Sequence, residues 1–278
     1  MSLLLPFSLM LMQVGIDPNG GRVPGLPPEL RDRPPRGATV PQREPARAAI
    51  DVCLATARDD PAKARALAEE WVARTSGPQR ATGHHCLGVA AGNSGDWAAA
   101  SAAFLAAREE ANEPRFKARM GALAGSALLA QDKPGAALTA LEDAQSLAAG
   151  DAALGGEIAQ ERAVALVALN READAAAALA DARRLGPDDA NAWLLSATLA
   201  RRQDDLATAQ TQIEKAVSLN PRDPAIGLEA GVIAALGGRD AAARQSFASV
   251  IAAAPDSAEA ATAKTYMSQL SGAPAAPR

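Results

Sequence analysis

A chain of 278 residues can hold one or two globular domains or a single repeat array, and its composition favours the array. Aromatic residues make up only 3%, and alanine so dominates the 48% hydrophobic fraction that each residue buries little area, which suits thin layers of paired helices. The formal net charge of -4, with both signs interspersed, excludes the polybasic footprint of a nucleic-acid binder and points to a soluble chain.

The first segment, residues 1–16, is apolar from Ser2 to Ile16 and broken once by Pro6. A run of about 15 residues is short for a membrane span, which needs roughly 20, and fits the apolar core of a secretory signal. It lacks a preceding Lys or Arg and a clear small-x-small cleavage site, so a frayed apolar end or a misassigned start codon stands as the alternative. Residues 17–45 carry eight prolines and four glycines with no helical period, which predicts an extended linker. Its arginines are nearly cancelled by Asp17, Glu29, Asp32 and Glu44, so it reads as a solvated tether.

From residue 46 the pattern becomes helical. Paired helices are expected at 46–78, where Asp60 and Pro61 supply a cap and a helix start, then at 81–114, with Leu87-Gly88 in the first helix, the turn Gly95-Asp96-Trp97, and Ala100, Phe104 and Ala107 on the second. The next pair, 118–150, uses Gly125, the turn Asp132-Lys133-Pro134, and Ala137, Leu141 and Ala144. Its closing proline is missing, and Leu147 to Gly156 is expected to be a glycine-bearing loop that stretches the spacing by about four residues. A fourth pair follows at 156–189, with Ala163, Ala175, Leu179, Ala182 and Pro187.

The pairs at 190–223 and 224–257 make the period explicit. Trp193, Ser196-Ala197, Ala200, Ala209, Ile213, Ala216 and Pro221 have counterparts 34 residues on in Gly227, Ala230-Gly231, Ala234, Ala243, Phe247, Val250 and Pro255. Short side chains let two antiparallel helices approach, the larger Ile213 or Phe247 fills the seam, and the proline forces the turn into the next copy. A last helix at 257–270, with a polar stripe of Glu259, Lys264, Thr265 and Gln269, suits a solvent-facing cap, and 271–278 is a Pro/Ala-rich tail.

These positions match the spacing W-x2-L-G-x2-Y, A-x3-F, P, so the sequence resembles the tetratricopeptide repeat (TPR) family. The resemblance implies an all-α, right-handed superhelical solenoid of about six helical pairs plus a C-terminal capping helix. Cys53 and Cys86 lie 33 residues apart, one repeat length, each on the first helix of its repeat. Neighbouring first helices stack side by side, so the two thiols can pair across one interface; two buried free cysteines are the alternative reading.

Nothing in the sequence forms a catalytic constellation, and no cofactor or metal is expected. His84 and His85 are adjacent on a helix and diverge by about 100°, unlike an i, i+4 metal-binding pair. Glu109-Glu110 and Asp204-Asp205 sit at helix ends, where solvation is the ordinary role. What remains is the concave face that the resemblance implies for the first helices. Carried onto this chain, it presents His85 and Asn93; Arg119; Gln160; Asn191, Leu194, Thr198, Arg201 and Arg202; and Leu228. The Lys/Asn carboxylate clamp of the family's best-known members is absent. The groove is apolar with Arg119, Arg201 and Arg202 as its main donors, or else its apolar positions pack within the stack and its arginines are solvated. The expectation is a non-enzymatic scaffold for a peptide or protein partner, without nucleic acid or a mature transmembrane helix, exported or periplasmic in a bacterial cell envelope. The alternatives are a cytoplasmic adaptor and an accessory subunit of an envelope assembly or export complex.

Overall fold

Alanine-rich segments punctuated by Asp, Pro and Gly turns fold into helices throughout residues 45–272, which this computed structural model describes. The apolar segment at 1–16, the linker as far as residue 44 and the tail from residue 273 lie outside the described residues. Six helical pairs follow one another: α1 (Pro45–Asp59) with α2 (Pro61–Arg74), α3 (Gly77–Asn93) with α4 (Trp97–Glu110), and α5 (Pro114–Leu129) with α6 (Pro134–Leu147). Next come α7 (Ala152–Ala168) with α8 (Glu172–Leu185), α9 (Ala190–Arg202) with α10 (Leu206–Leu219), and α11 (Pro224–Leu236) with α12 (Asp240–Ala253); α13 (Ala258–Gly272) packs behind α12. No strand occurs among the described residues, so the fold is all-α.

Each second helix is sandwiched between its own first helix and the first helix of the next pair, and first helices also lie beside one another, α1 on α3, α5 on α7 and α9 on α11. The turns explain why the chain reverses where it does. Gly95, Asp132, Asn170, Asp204 and Gly238 take positive φ between 57° and 76° in successive turns. Glycine adopts this conformation freely, and Asn or Asp tolerates it as a single residue. The N–H of the following residue then closes onto a carbonyl five positions back, as from Lys133 to Leu128 at 3.0 Å and from Arg171 to Leu166 at 2.8 Å. That contact ends one helix with its last carbonyls satisfied. Acidic side chains start the next: Asp96 accepts from the Ala99 N–H at 3.0 Å, Asp151 from Leu154 at 3.1 Å and Asp205 from Thr208 at 3.0 Å.

The stretched spacing has a different origin from the expected loop at Leu147 to Gly156. The chain leaves α6 at Leu147 and re-enters a helix at Ala152, with Gly155 and Gly156 inside α7. Both glycines lie against Leu185 of α8, where the absence of a side chain lets the helices approach, and Asp151 caps the helix ahead of them. The additional residues lengthen first helices instead: α3, α5 and α7 have 17, 16 and 17 residues, against 13 in α9 and in α11.

Packing within a pair sets one small residue under one large one. Gly88 faces the Phe104 ring, Gly125 faces Leu141 and Gly231 faces Phe247, with Phe104, Leu141 and Phe247 all buried. A Cβ built on Gly88 would lie 2.5 Å from the Phe104 ring edge, well inside contact distance. Gly88→Ala is therefore expected to destabilise the protein by about 1–3 kcal/mol through overpacking, despite alanine's better helix propensity. Combining it with Phe104→Leu should recover part of that loss in thermal unfolding. Strictly additive losses would show that the ring is not the obstacle.

The two ends of the stack differ. At the C-terminal end α13 buries Ala260 and Ala263 and turns Lys264, Thr265 and Gln269 to solvent. At the N-terminal end a disulfide joins Cys53 of α1 to Cys86 of α3, with Cα atoms 6.1 Å apart, inside a cluster with Ala68, Ile50, Trp71 and Leu87.

Candidate functional site

The first-helix face is built by α3, α5, α7, α9 and α11, whose exposed positions recur every three or four residues. Towards its N-terminal side, His85 of α3 is wedged between aromatic rings, 6.4 Å from Phe104 and edge-on to Phe116 of α5 at 5.8 Å. Burial, reinforced by the nearby Arg119 guanidinium, drives its pKa down from 6.5 to about 4. His85 is thus neutral at physiological pH. Its neighbour His84 points elsewhere, with Nε2 3.7 Å from Glu110, which is itself gripped by Arg80 at 2.6 Å. Glu110 is therefore part of a contact between helices and not simply a solvated helix-end carboxylate. Among the described residues no group of three His, Cys, Asp or Glu side chains is placed to hold a metal ion.

The polar positions expected in a groove divide into those that the stack itself uses and those that it leaves open. Asn93 donates from Nδ2 to the Ala57 carbonyl at 2.8 Å, tying α3 to α1. Gln160 is buried: its Nε2 donates to Asp189 at 2.6 Å, and its Oε1 accepts from Asn191 at 2.7 Å. Arg201 donates from Nε to Glu229 of α11 at 2.6 Å, with the carboxylate side chain 12% exposed. Gln160, Asn191 and Arg201 are therefore partners of neighbouring helices before they are partners of any ligand. Their contacts join residues 28 to 31 apart, as does Arg65 with Asp96. An offset of one repeat less about one helical turn between complementary polar residues is the sequence signal that would have revealed them.

The open positions converge between α7 and α9. Val164 is 43% exposed, and with Val167, Leu195, Thr198 and Arg202 it rims a cleft of ≈ 160 Å³ floored by Ala163, Leu179 and Leu199. Arg202 is exposed and, among the described residues, has no carboxylate within ion-pair distance; the same holds for Arg119. One turn before Val164 on the same helix stands Glu161, half-buried and also without an ion pair among the described residues. Burial raises its pKa, partly offset by the Ser126 hydroxyl beside it on α5. Leu194 belongs to a separate, more polar recess with Asp188, Asn220 and Ile226, and Leu228 packs against the cluster around Phe247.

No family model matches the chain, and neither does any curated protein. Solved structures do. PilW, a widely conserved type IV pilus biogenesis factor, superposes with a TM-score of 0.66 at 16% identity, covering 79% of this chain and 98% of its own. PilF of Pseudomonas aeruginosa superposes at 0.62 with 15% identity, over 80% of this chain and 100% of PilF. With the pairs built on the 34-residue pattern, these likenesses decide the architecture. The chain has the tetratricopeptide-repeat fold. BtubC (BKLC) from P. vanneervenii is a further likeness, with a TM-score of 0.55 at 17% identity over 82% of the TPR chain and 95% of BtubC. Among the described residues no helix is long and apolar enough to cross a membrane.

Proposed function

We propose that this TPR chain is a non-catalytic scaffold that holds a peptide or protein partner on its first-helix face, in an exported, envelope setting. The observation that carries the reading is the cleft between α7 and α9, where an aliphatic rim meets an exposed arginine that the stack leaves unpaired. Elsewhere on the face Asn93, Gln160, Asn191 and Arg201 are occupied by neighbouring helices, and although Arg119 is also without an ion pair among the described residues, a free donor borders an aliphatic recess at the α7–α9 cleft. The disulfide between Cys53 and Cys86 supports an oxidising compartment. The likeness to a pilus biogenesis factor agrees with an envelope role without specifying one.

The test is capture from the native host with the tagged full chain. Arg202→Glu should lower recovery of the co-purifying partner at least tenfold, whereas Glu214→Lys, an exposed change on second helix α10, should leave it intact. The reverse outcome moves the site to the second-helix face. Intact mass after alkylation without reduction addresses the compartment. Two unmodified, oxidised cysteines support export, and two alkylated thiols make a cytoplasmic adaptor the better reading.

A further inference from the structure

We infer that the cleft between α7 and α9 recognises an extended peptide carrying one aliphatic side chain flanked by a carboxylate on one side and a basic group on the other; this rests on the scaffold reading above. The argument starts from size. A cleft of ≈ 160 Å³ is close to the roughly 150 Å³ at which an apolar cavity takes up one benzene-sized group, so it seats a single aliphatic side chain and not a helix face. The walls are Val164 and Val167 from α7 with Leu195 and Thr198 from α9, over a buried alanine and leucine floor.

Charge sets the flanks. Arg202 stands at the C-terminal end of α9 and lines the cleft together with Val167, while Glu161 lies six residues before Val167 on α7, just outside the cleft lining and next to Ser126 of α5. Six residues at about 1.5 Å each separate the two charges by roughly 9 Å along the helix axes, and the roughly 8–10 Å between the axes of packed helices brings their full separation to roughly 12–13 Å, with the aliphatic rim between them. Their neighbours sharpen the contrast: Arg201 is neutralised by Glu229, but neither Arg202 nor Glu161 has an ion-pair partner among the described residues. A half-buried carboxylate that receives only a hydroxyl is improved by a cationic donor, and an exposed guanidinium by a carboxylate. In an extended peptide, residues i, i+2 and i+4 share one face at steps of about 6.6 Å, so i and i+4 span about 13 Å, which matches the separation of Arg202 and Glu161 and places acid, aliphatic and base over Arg202, the cleft and Glu161.

An array of nine-residue serine-based peptides, with positions i, i+2 and i+4 varied through all residue types and probed with the full-length oxidised protein, tests this. Retention should be strongest for Glu-x-Leu-x-Lys or its reversed order, at least tenfold above the same peptides with Ser at the centre. Arg202→Glu should switch the preferred residue at the acidic position from Glu to Lys, and Glu161→Lys should make the mirror-image switch at the basic position. Preferences unmoved by either variant overturn the inference. So does an array that retains nothing. Retention of a different pattern, released by Arg119→Glu, overturns the triplet yet leaves the first-helix face as the binding surface. Partner capture from the host that survives every change on this face removes both readings.

Discussion

Replacing Cys53 and Cys86 by alanine should loosen the N-terminal pair by about 3–4 kcal/mol, the chain-entropy value for a cross-link closing a loop of this length. The location of the loss is more informative than its size. In a solenoid each pair contacts only its neighbours, so stability is close to a sum of local terms. The disulfide fastens α1 to α3 where the fully buried neighbours are small, Ala57, Ala64, Ala68 and Ala90, while the larger Ile50, Trp71 and Leu87 are only partly buried and Val52 and Leu67 remain 62% and 40% exposed. Amide exchange in α1 and α2 should therefore accelerate by roughly a hundredfold to several hundredfold, since about 1.4 kcal/mol is worth a factor of ten. Exchange in α9 to α13 should not change. Uniform acceleration along the chain would contradict a locally acting cross-link, and unchanged exchange in α1 would mean that packing alone retains the pair.

The repeat architecture was legible because its determinants are local and periodic. Gly88, Gly125 and Gly231 each sit under a large residue sixteen positions later, and that pairing recurs along the chain. The cap at Asp96 falls in the turn that the sequence places at Gly95-Asp96-Trp97, whereas Asp151, inside the stretch expected as a loop, and Asp205, expected to be solvated, cap helices by the same short-range chemistry. The site was less legible, for a physical reason. Whether the stack uses an arginine on a first helix depends on a carboxylate nearly a full repeat away: Arg201 has Glu229 and Arg202 has none among the described residues, although the two are adjacent in sequence. Helical phase alone gives them similar standing on the exposed face. The same holds for Gln160, which period placed in the groove and which Asp189 and Asn191 draw into the stack. The glycines at 155 and 156 misled differently, because a paired glycine signals a loop unless a large side chain such as Leu185 occupies the space that they free.

Acidification should destabilise the protein through His85. The imidazole is held neutral by its burial between Phe104 and Phe116, with Arg119 adding to the effect, so its pKa is about 4 in the folded chain against 6.5 in water. A histidine with a depressed folded pKa is protonated first in the unfolded state, which then binds more protons than the native state. Stability contributed by the neutral ring is complete above pH 6.5 and disappears as the pH falls from 6.5 towards 4. The interval corresponds to roughly 3 kcal/mol at about 1.4 kcal/mol per pH unit. Carboxylates that are hydrogen-bonded in the fold, such as Asp96, Asp151 and Asp205, have lowered pKa values and lose their own contributions at lower pH, so the two effects separate on the pH axis. Urea unfolding at pH 7.5 and pH 4.5 should show a drop that His85→Phe largely abolishes, because a phenyl ring keeps the aromatic contacts and has no proton to gain. An equal drop in the His85→Phe protein would assign the acid sensitivity to the carboxylates and return His85 to an ordinary packing role.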